Sequence, residues 1–381
     1  MPPFRLLLPL AAALLAACGD GAPTVVTPEC GLAPALSAAP APPPASSPYD
    51  AAFARAGAEF GVPAELLRAV GWAETRWQMV SGAEEFPGVP AAHGVMALRG
   101  GRLERGAALA GVPVEAARTQ PEANVRAAAA LLRALADERG VGGERAEDWA
   151  PALAAFSGIA SPEGRAAYVG DAVLPALAGR PAPAPRASRA AAADPCGPVA
   201  PPADGYAGAV QRPSPNHNDR PAGESGRVQM VVVHSCEGAY AGCWSWLASP
   251  QSGVSAHYVV REDGGEITQL VPESKRAWHI AARYDCALNA GVACGTLNEV
   301  QSNHFTVGVE HAGFASQTAW PAAQVDASAR LVCDVARRHG IPRDRFHVVS
   351  HAQLQPYNRT DPGAGWPWAD YLARIAAHCA G

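Results

Sequence analysis

Two histidines and an aspartate occupy places where chains commonly present side chains for chemistry. His234 closes the run Val231-Val232-Val233, His351 closes Phe346-His347-Val348-Val349-Ser350, and Asp361 follows ten positions later in Arg359-Thr360-Asp361-Pro362-Gly363. Runs of this kind form buried strands, whose ends open at a sheet edge. Two imidazoles and one carboxylate suit a catalytic zinc ion, which takes three protein ligands and keeps a fourth position for water. Each residue also has an ordinary reading alone: His234 as a capped strand end, His351 as a hydrogen-bonded core histidine, Asp361 as a turn former before Pro-Gly. His347 and His351 share the spacing of helical ligands, but the β-branched residues between them argue for a strand. His347 is therefore left out of the metal site.

The elements that must position these residues begin after residue 229, where short β-branched runs alternate with helical stretches such as 322–339. Besides the two runs above, His257-Tyr258-Val259-Val260 and Thr306-Val307-Gly308-Val309 read as strands, so the C-terminal half, residues 205–381, is expected to be α/β. Residues 48–179 read differently. Apolar positions at three- and four-residue spacing over 51–60, 63–77, 124–139 and 149–156 predict an all-α domain, with Pro63 in a first turn and Gly61 and Gly140 ending helices. Two Pro- and Ala-rich stretches without periodicity, 19–47 and 180–204, read as a tether and a linker. A length of 381 residues fits two domains. Net charge −5 supplies no basic field for a nucleic-acid backbone, and no nucleic-acid partner is expected.

The first 18 residues carry Arg5, an apolar stretch from Leu6 through Leu14, then Leu15-Ala16-Ala17-Cys18. This is the pattern of a secretory signal, too short to remain as a membrane span. Small residues before Cys18 resemble a bacterial lipobox, which implies a lipid on that thiol and an exported lipoprotein. Gly19 follows where Asp would suggest inner-membrane retention, so the expectation is a periplasmic protein anchored to the outer membrane. Eight cysteines remain, an even number that in an exported protein suggests disulfides. Spacing suggests the pairs Cys236–Cys243, Cys286–Cys294, Cys333–Cys379 and Cys30–Cys196.

The second half resembles the type-2 N-acetylmuramoyl-L-alanine amidases, a group that includes peptidoglycan recognition proteins and amidase-type phage lysozymes. The matching stretches run in the family's order: Arg212-Pro213-Ser214-Pro215-Asn216 leading to Arg220-Pro221, Val233-His234-Ser235, Val254-Ser255-Ala256-His257-Tyr258, Ala277-Trp278-His279, Val307-Gly308-Val309-Glu310, Ser350-His351 and Thr360-Asp361-Pro362-Gly363. The resemblance implies a central mixed sheet flanked by helices, zinc as cofactor on His234, His351 and Asp361, and Glu310 as the acid/base group. It implies cleavage of the bond between N-acetylmuramic acid and L-alanine in peptidoglycan. Arg359 stands where relatives often carry Lys, and either cation could stabilise an oxyanion, though Arg is a wider fork that keeps its proton. Trp278 and His279 are expected to line the substrate cleft, and His257 reads equally as a packed strand residue. A receptor that binds peptidoglycan without cutting it is the alternative, but all three ligand positions and Glu310 are filled.

The helical half resembles, more loosely, lytic transglycosylases of lysozyme-like fold. Glu74 in Ala69-Val70-Gly71-Trp72-Ala73-Glu74-Thr75-Arg76-Trp77 would be the general acid on a glycosidic bond, its pKa raised by burial against Trp72 or Trp77. Two departures matter. Ala97 replaces the usual Gln, and Phe156-Ser157-Gly158 replaces a Tyr-Asn-x-Gly segment, so the domain either cleaves glycan, making the chain bifunctional, or only binds it.

Overall fold

A computed structural model describes residues 41–143, 145–184 and 204–380. Cys18, Cys30 and Cys196 lie outside the described residues, and with them the lipidation site and the fourth cysteine pair.

The first half is built on helices α1 (Asp50–Phe60) and α2 (Ala64–Thr75), a hairpin of β1 (Ala92–His93) and β2 (Leu98–Arg99), then α3 (Gly100–Ala110), α4 (Val114–Thr119), α5 (Pro121–Asp137), α6 (Ala150–Ser157), α7 (Pro162–Ala167) and α8 (Leu174–Leu177). The hairpin corrects the all-α expectation in detail, and α3 and α4 were not legible as helices. Pro121 opens α5, where its missing N–H costs nothing, and the helix then buries Ala127 through Leu132. Around it pack Phe53, Leu66, Leu67, Trp149, Phe156 and Tyr168, forming one core.

The second half contains β3 (Val210–Gln211), β4 (His217–Asp219), β5 (Met230–Ser235), α9 (Tyr240–Leu247), β6 (Tyr258–Val260), β7 (Ile267–Gln269), β8 (Lys275–Ala277), α10 (Cys294–Leu297), β9 (Thr306–His311), α11 (Ala322–His339), β10 (Val348–Ser350), α12 (His351–Leu354) and α13 (Trp368–Ala380). Six strands form one sheet in the order β10-β5-β9-β6-β7-β3. All its pairings are parallel except β6 with β7, so the sheet is mixed. Strand β5, flanked by β10 and β9, is buried along its whole length, as expected of a parallel strand covered on both faces. Val231 and Val233 join Val307, Val309 and Val348 in the core beneath α11, while Met230 and Val232 face Phe305, Val349 and Leu354 on the other side.

The three cysteine pairs that fall among the described residues are joined as the spacing suggested, Cys236–Cys243, Cys286–Cys294 and Cys333–Cys379. The last ties α11 to α13. The described residues of the two halves belong to one compact unit, and α7 packs on α9 across their boundary.

Candidate metal centre and active site

Sheet register places the first three site residues. His234 pairs with Glu310 across β5 and β9, and Ser350 pairs with Val233, so the next residue, His351, arrives level with His234. His351 is the first residue of α12 and not the last of a strand; β10 covers only the final three residues of the run read from sequence. Asp361 returns to the same spot because its carbonyl accepts from the Ala352 backbone N–H at 3.1 Å.

The donor atoms converge. His234 Nδ1 lies 3.0 Å from His351 Nδ1 and 3.3 Å from Asp361 Oδ2, and His351 Nδ1 lies 3.2 Å from the same Oδ2. Ligand bonds of tetrahedral zinc to N and O imply edges of roughly 3.3 Å. The three atoms therefore have the spacing of one triangular face around such an ion. His234, His351, Asp361 and Glu310 are all 2% exposed or less. Asp361 Oδ1 and Glu310 Oε2 are buried without a hydrogen-bond donor, which is costly unless a cation compensates.

Electrostatics agree. Burial works against charge on His351, yet the carboxylates of Asp361 and Glu85 overcome it and raise its pKa to about 10. Burial lowers His234 to about 4, aided by the neighbouring His351. Glu310 is held well above the ordinary carboxylate range by burial, then by repulsion from Glu85 and Asp361. A buried point that gathers three carboxylates and draws a proton onto His351 is one that a metal cation fits.

Several expected residues are placed differently. His279 is buried, with Nδ1 3.0 Å from His234 Nε2 and Nε2 3.0 Å from Thr306 Oγ1, so both ring nitrogens are taken by protein. It packs behind His234, with its ring held between that side chain and Thr306. Gly308 makes this possible, since a Cβ there would lie 2.5 Å from the His279 ring. Trp278 is half-buried beside Asn218. His257 accepts from the Gly308 N–H and contacts Arg220, a packing role. His347 pairs with Asp344, away from the ligands. Arg359 donates to the Glu84 carbonyl at 3.0 Å and pairs with Glu85 at 3.4 Å, while its Nε is buried without an acceptor.

Glu85 escaped the sequence reading. It comes from the helical half, yet Oε1 lies 3.4 Å from His351 Nδ1, and with His234, His351 and Asp361 it completes a set of four groups able to hold one metal ion. Glu74 sits elsewhere, in the wall of a cleft of about 820 Å³ between the two halves, which Arg99, Arg102, Phe156 and Trp246 also line. Burial raises its pKa, and its polar neighbour is the Tyr168 hydroxyl, which donates at 2.7 Å, not Trp72 or Trp77.

Comparison with known proteins bears on the second half. A family model described as N-acetylmuramoyl-L-alanine amidase matches residues 224–364. The chain is similar to N-acetylmuramoyl-L-alanine amidase A of Achromobacter lyticus, at 34% identity over an alignment of 185 positions that covers 44% of this chain and 93% of that one. It is also similar to the 1,6-anhydro-N-acetylmuramyl-L-alanine amidase AmpD of Escherichia coli, at 30% identity over 44% of this chain and 93% of the relative. A solved structure of an AmpD derivative is similar over 45% of this chain and 95% of its own, with 26% identity and a TM-score of 0.34. Every residue proposed for chemistry in the second half, from His234 to Asp361, falls inside the matched segment, and the chain belongs to the N-acetylmuramoyl-L-alanine amidase family, enzymes that hydrolyse an amide bond of peptidoglycan.

Proposed function

We propose that this chain cleaves the amide between N-acetylmuramic acid and L-alanine with zinc held by His234, His351 and Asp361. The observation that carries the reading is the triangle of two Nδ1 atoms and Asp361 Oδ2 at 3.0 to 3.3 Å, level with Glu310 in the sheet. Two imidazoles and a carboxylate are a donor set that suits zinc. Zinc bound there would polarise the scissile carbonyl and acidify the attacking water. Glu310, whose Oε2 has no protein partner, takes the proton from water and passes it to the leaving amine. Arg359 Nε, a buried donor without an acceptor, is assigned to the carbonyl oxygen as it gains charge. Relatives named as amidases acting on anhydro-muramyl substrates support peptidoglycan fragments or wall as the target. The signal-like first residues and Cys18 support action in the periplasm from a lipid anchor.

Purified sacculi and soluble muropeptides incubated with zinc-loaded protein, chelated protein and Glu310→Ala test this. Stem peptides beginning with L-alanine are expected from the zinc-loaded protein alone. Their equal release from all three preparations would rule the mechanism out.

One observation favours a second activity beside the first. Glu74, its pKa raised by burial, lines a cleft of about 820 Å³, and Arg99 and Arg102 lie near its carboxylate. A carboxyl whose pKa is raised by burial can serve as general acid on a glycosidic bond, the role expected of a lysozyme-like domain. Loss of anhydro-muramyl products in Glu74→Gln, read by mass spectrometry of digested sacculi, would establish cleavage; their absence from wild type would leave glycan binding.

A further inference from the structure

We propose that Glu85 is a fourth protein ligand of the metal, and that residues 80–90 form a strap which keeps the amidase site shut. The inference rests on the three-ligand site above and adds to it a residue from the other half of the chain.

The first argument is coordination. A catalytic zinc leaves one position open for water or substrate, whereas a site with four protein ligands is closed. Glu85 Oε1 stands 3.4 Å from His351 Nδ1, close to a tetrahedral edge, and all four ligand atoms lie within 4.8 Å of one another. Two neutral imidazoles and two carboxylates also balance the two charges of the ion, which the three-ligand set leaves half compensated.

The second argument is how the segment is held. Glu237 accepts from the Ala83 N–H at 3.0 Å and from the Ala315 N–H at 2.7 Å, joining the strap to the loop after β9. Ser81 N–H donates to Ser316 Oγ at 3.0 Å, and Arg359 grips the Glu84 carbonyl. Phe86 is buried in an apolar cluster with Cys236, Cys243, Tyr240 and Trp244. Each anchor is a residue of the second half, and several flank the metal ligands in sequence. Glu84, by contrast, points to solvent, so the strap presents one carboxylate inward and one outward.

The third argument is access. With the strap seated, His234, His351, Asp361 and Glu310 are all but excluded from solvent, and the guanidinium assigned to the carbonyl oxygen is engaged by Glu84 and Glu85. A muropeptide reaches the site only when Glu85 leaves. The helical half therefore restrains the site: its strap keeps basal cleavage low, and an event that draws it away exposes the open ligand position.

The full chain is compared with Glu85→Ala, Phe86→Ala and His351→Ala. Zinc affinity is measured by competition with a chromophoric chelator, visible absorption is recorded on cobalt-substituted protein with and without azide, and cleavage of a soluble muramoyl-tripeptide is followed at saturating zinc. Glu85→Ala is expected to weaken zinc binding about tenfold or more, to let azide perturb a cobalt spectrum that wild type keeps unchanged, and to raise amide cleavage. Phe86→Ala keeps the ligand and loosens the strap, so it should raise cleavage with a smaller change in affinity. Unchanged affinity and an azide-insensitive spectrum in Glu85→Ala, alongside collapse of binding in His351→Ala, overturn the Glu85 assignment alone. Wild-type binding in His351→Ala overturns the metal site itself. Azide access without a rise in cleavage in either strap variant overturns the restraint.

Discussion

His234 Nε2 and His279 Nδ1 lie 3.0 Å apart, and this contact fixes which nitrogen of His234 faces His351 and Asp361. The Thr306 hydroxyl donates to the Ser302 carbonyl, so its oxygen accepts from His279 Nε2–H. His279, kept neutral by burial, then has a bare Nδ1 that accepts from His234 Nε2–H. His234 is left with its lone pair on Nδ1, aimed at His351 and Asp361. A relay of this kind orients a ligand and raises its basicity.

Breaking the relay should weaken metal binding without touching a ligand. His279→Ala leaves His234 Nε2–H unpaired in a buried site and is expected to reduce zinc affinity roughly 10- to 100-fold. Thr306→Val, which removes the acceptor for His279 together with the donor to the Ser302 carbonyl, should act in the same direction by less. Chelator competition on both variants gives the answer; wild-type affinity in the pair would show that the tautomer chain has no hold on the site.

Glu310 separates chemistry from stability. Glu310→Gln keeps the shape but cannot carry the proton, so amide hydrolysis should fall by about 10²- to 10⁴-fold while zinc content stays at one per chain. The same change removes a carboxyl that burial, Glu85 and Asp361 hold in an unfavourable place. The metal-stripped variant should therefore melt higher than metal-stripped wild type. Loss of zinc together with activity would mean that Glu310 acts through the ligands and not on the proton.

Acid should loosen the second half through Glu273. Burial alone would raise this carboxyl, but hydrogen bonds from His339, Arg338 and Tyr258 win and lower it to about 2. A carboxylate held lower in the folded state than in the unfolded chain stabilises above its unfolded pKa, near 4.5, and loses that contribution as pH falls towards 2. The pair of values corresponds to about 3 kcal/mol at neutral pH. Urea melts of the metal-stripped protein should show wild type losing stability over Glu273→Gln between pH 4.5 and 2. Parallel pH profiles for the two proteins would remove Glu273 from the account.

What the sequence made legible depended on whether a signal was local. His234, His351 and Asp361 follow apolar runs or a turn, and strand register then brings them together without further help. The three described disulfides were readable because each joins segments that are near in the chain or carried by late helices. Glu85 was not readable, since Glu84 beside it is the same residue type and only packing against the second half turns one inward. His279 had a signal that was passed over. Gly308 interrupts a β-branched strand, and a glycine there marks a close approach, in this case by the His279 ring. Glu74 was placed correctly on its helix, but its partner Tyr168 lies on a segment with no motif to announce it.

The Cys333–Cys379 bridge closes a loop of sequence separation 46 that contains both His351 and Asp361. Cross-linking a loop of that length removes unfolded-state entropy worth about 4 kcal/mol in the chain-entropy model. Replacing both cysteines with alanine should therefore lower the urea midpoint by a corresponding amount, with the folded metal site intact. His234 lies outside the loop, so the effect on zinc binding should come only from the larger unfolded fraction and vanish under conditions where the variant is fully folded. A zinc affinity that stays reduced in the fully folded variant would show instead that the bridge holds α11 and α13 in a position the ligands require, and that its contribution is to the native geometry of the site.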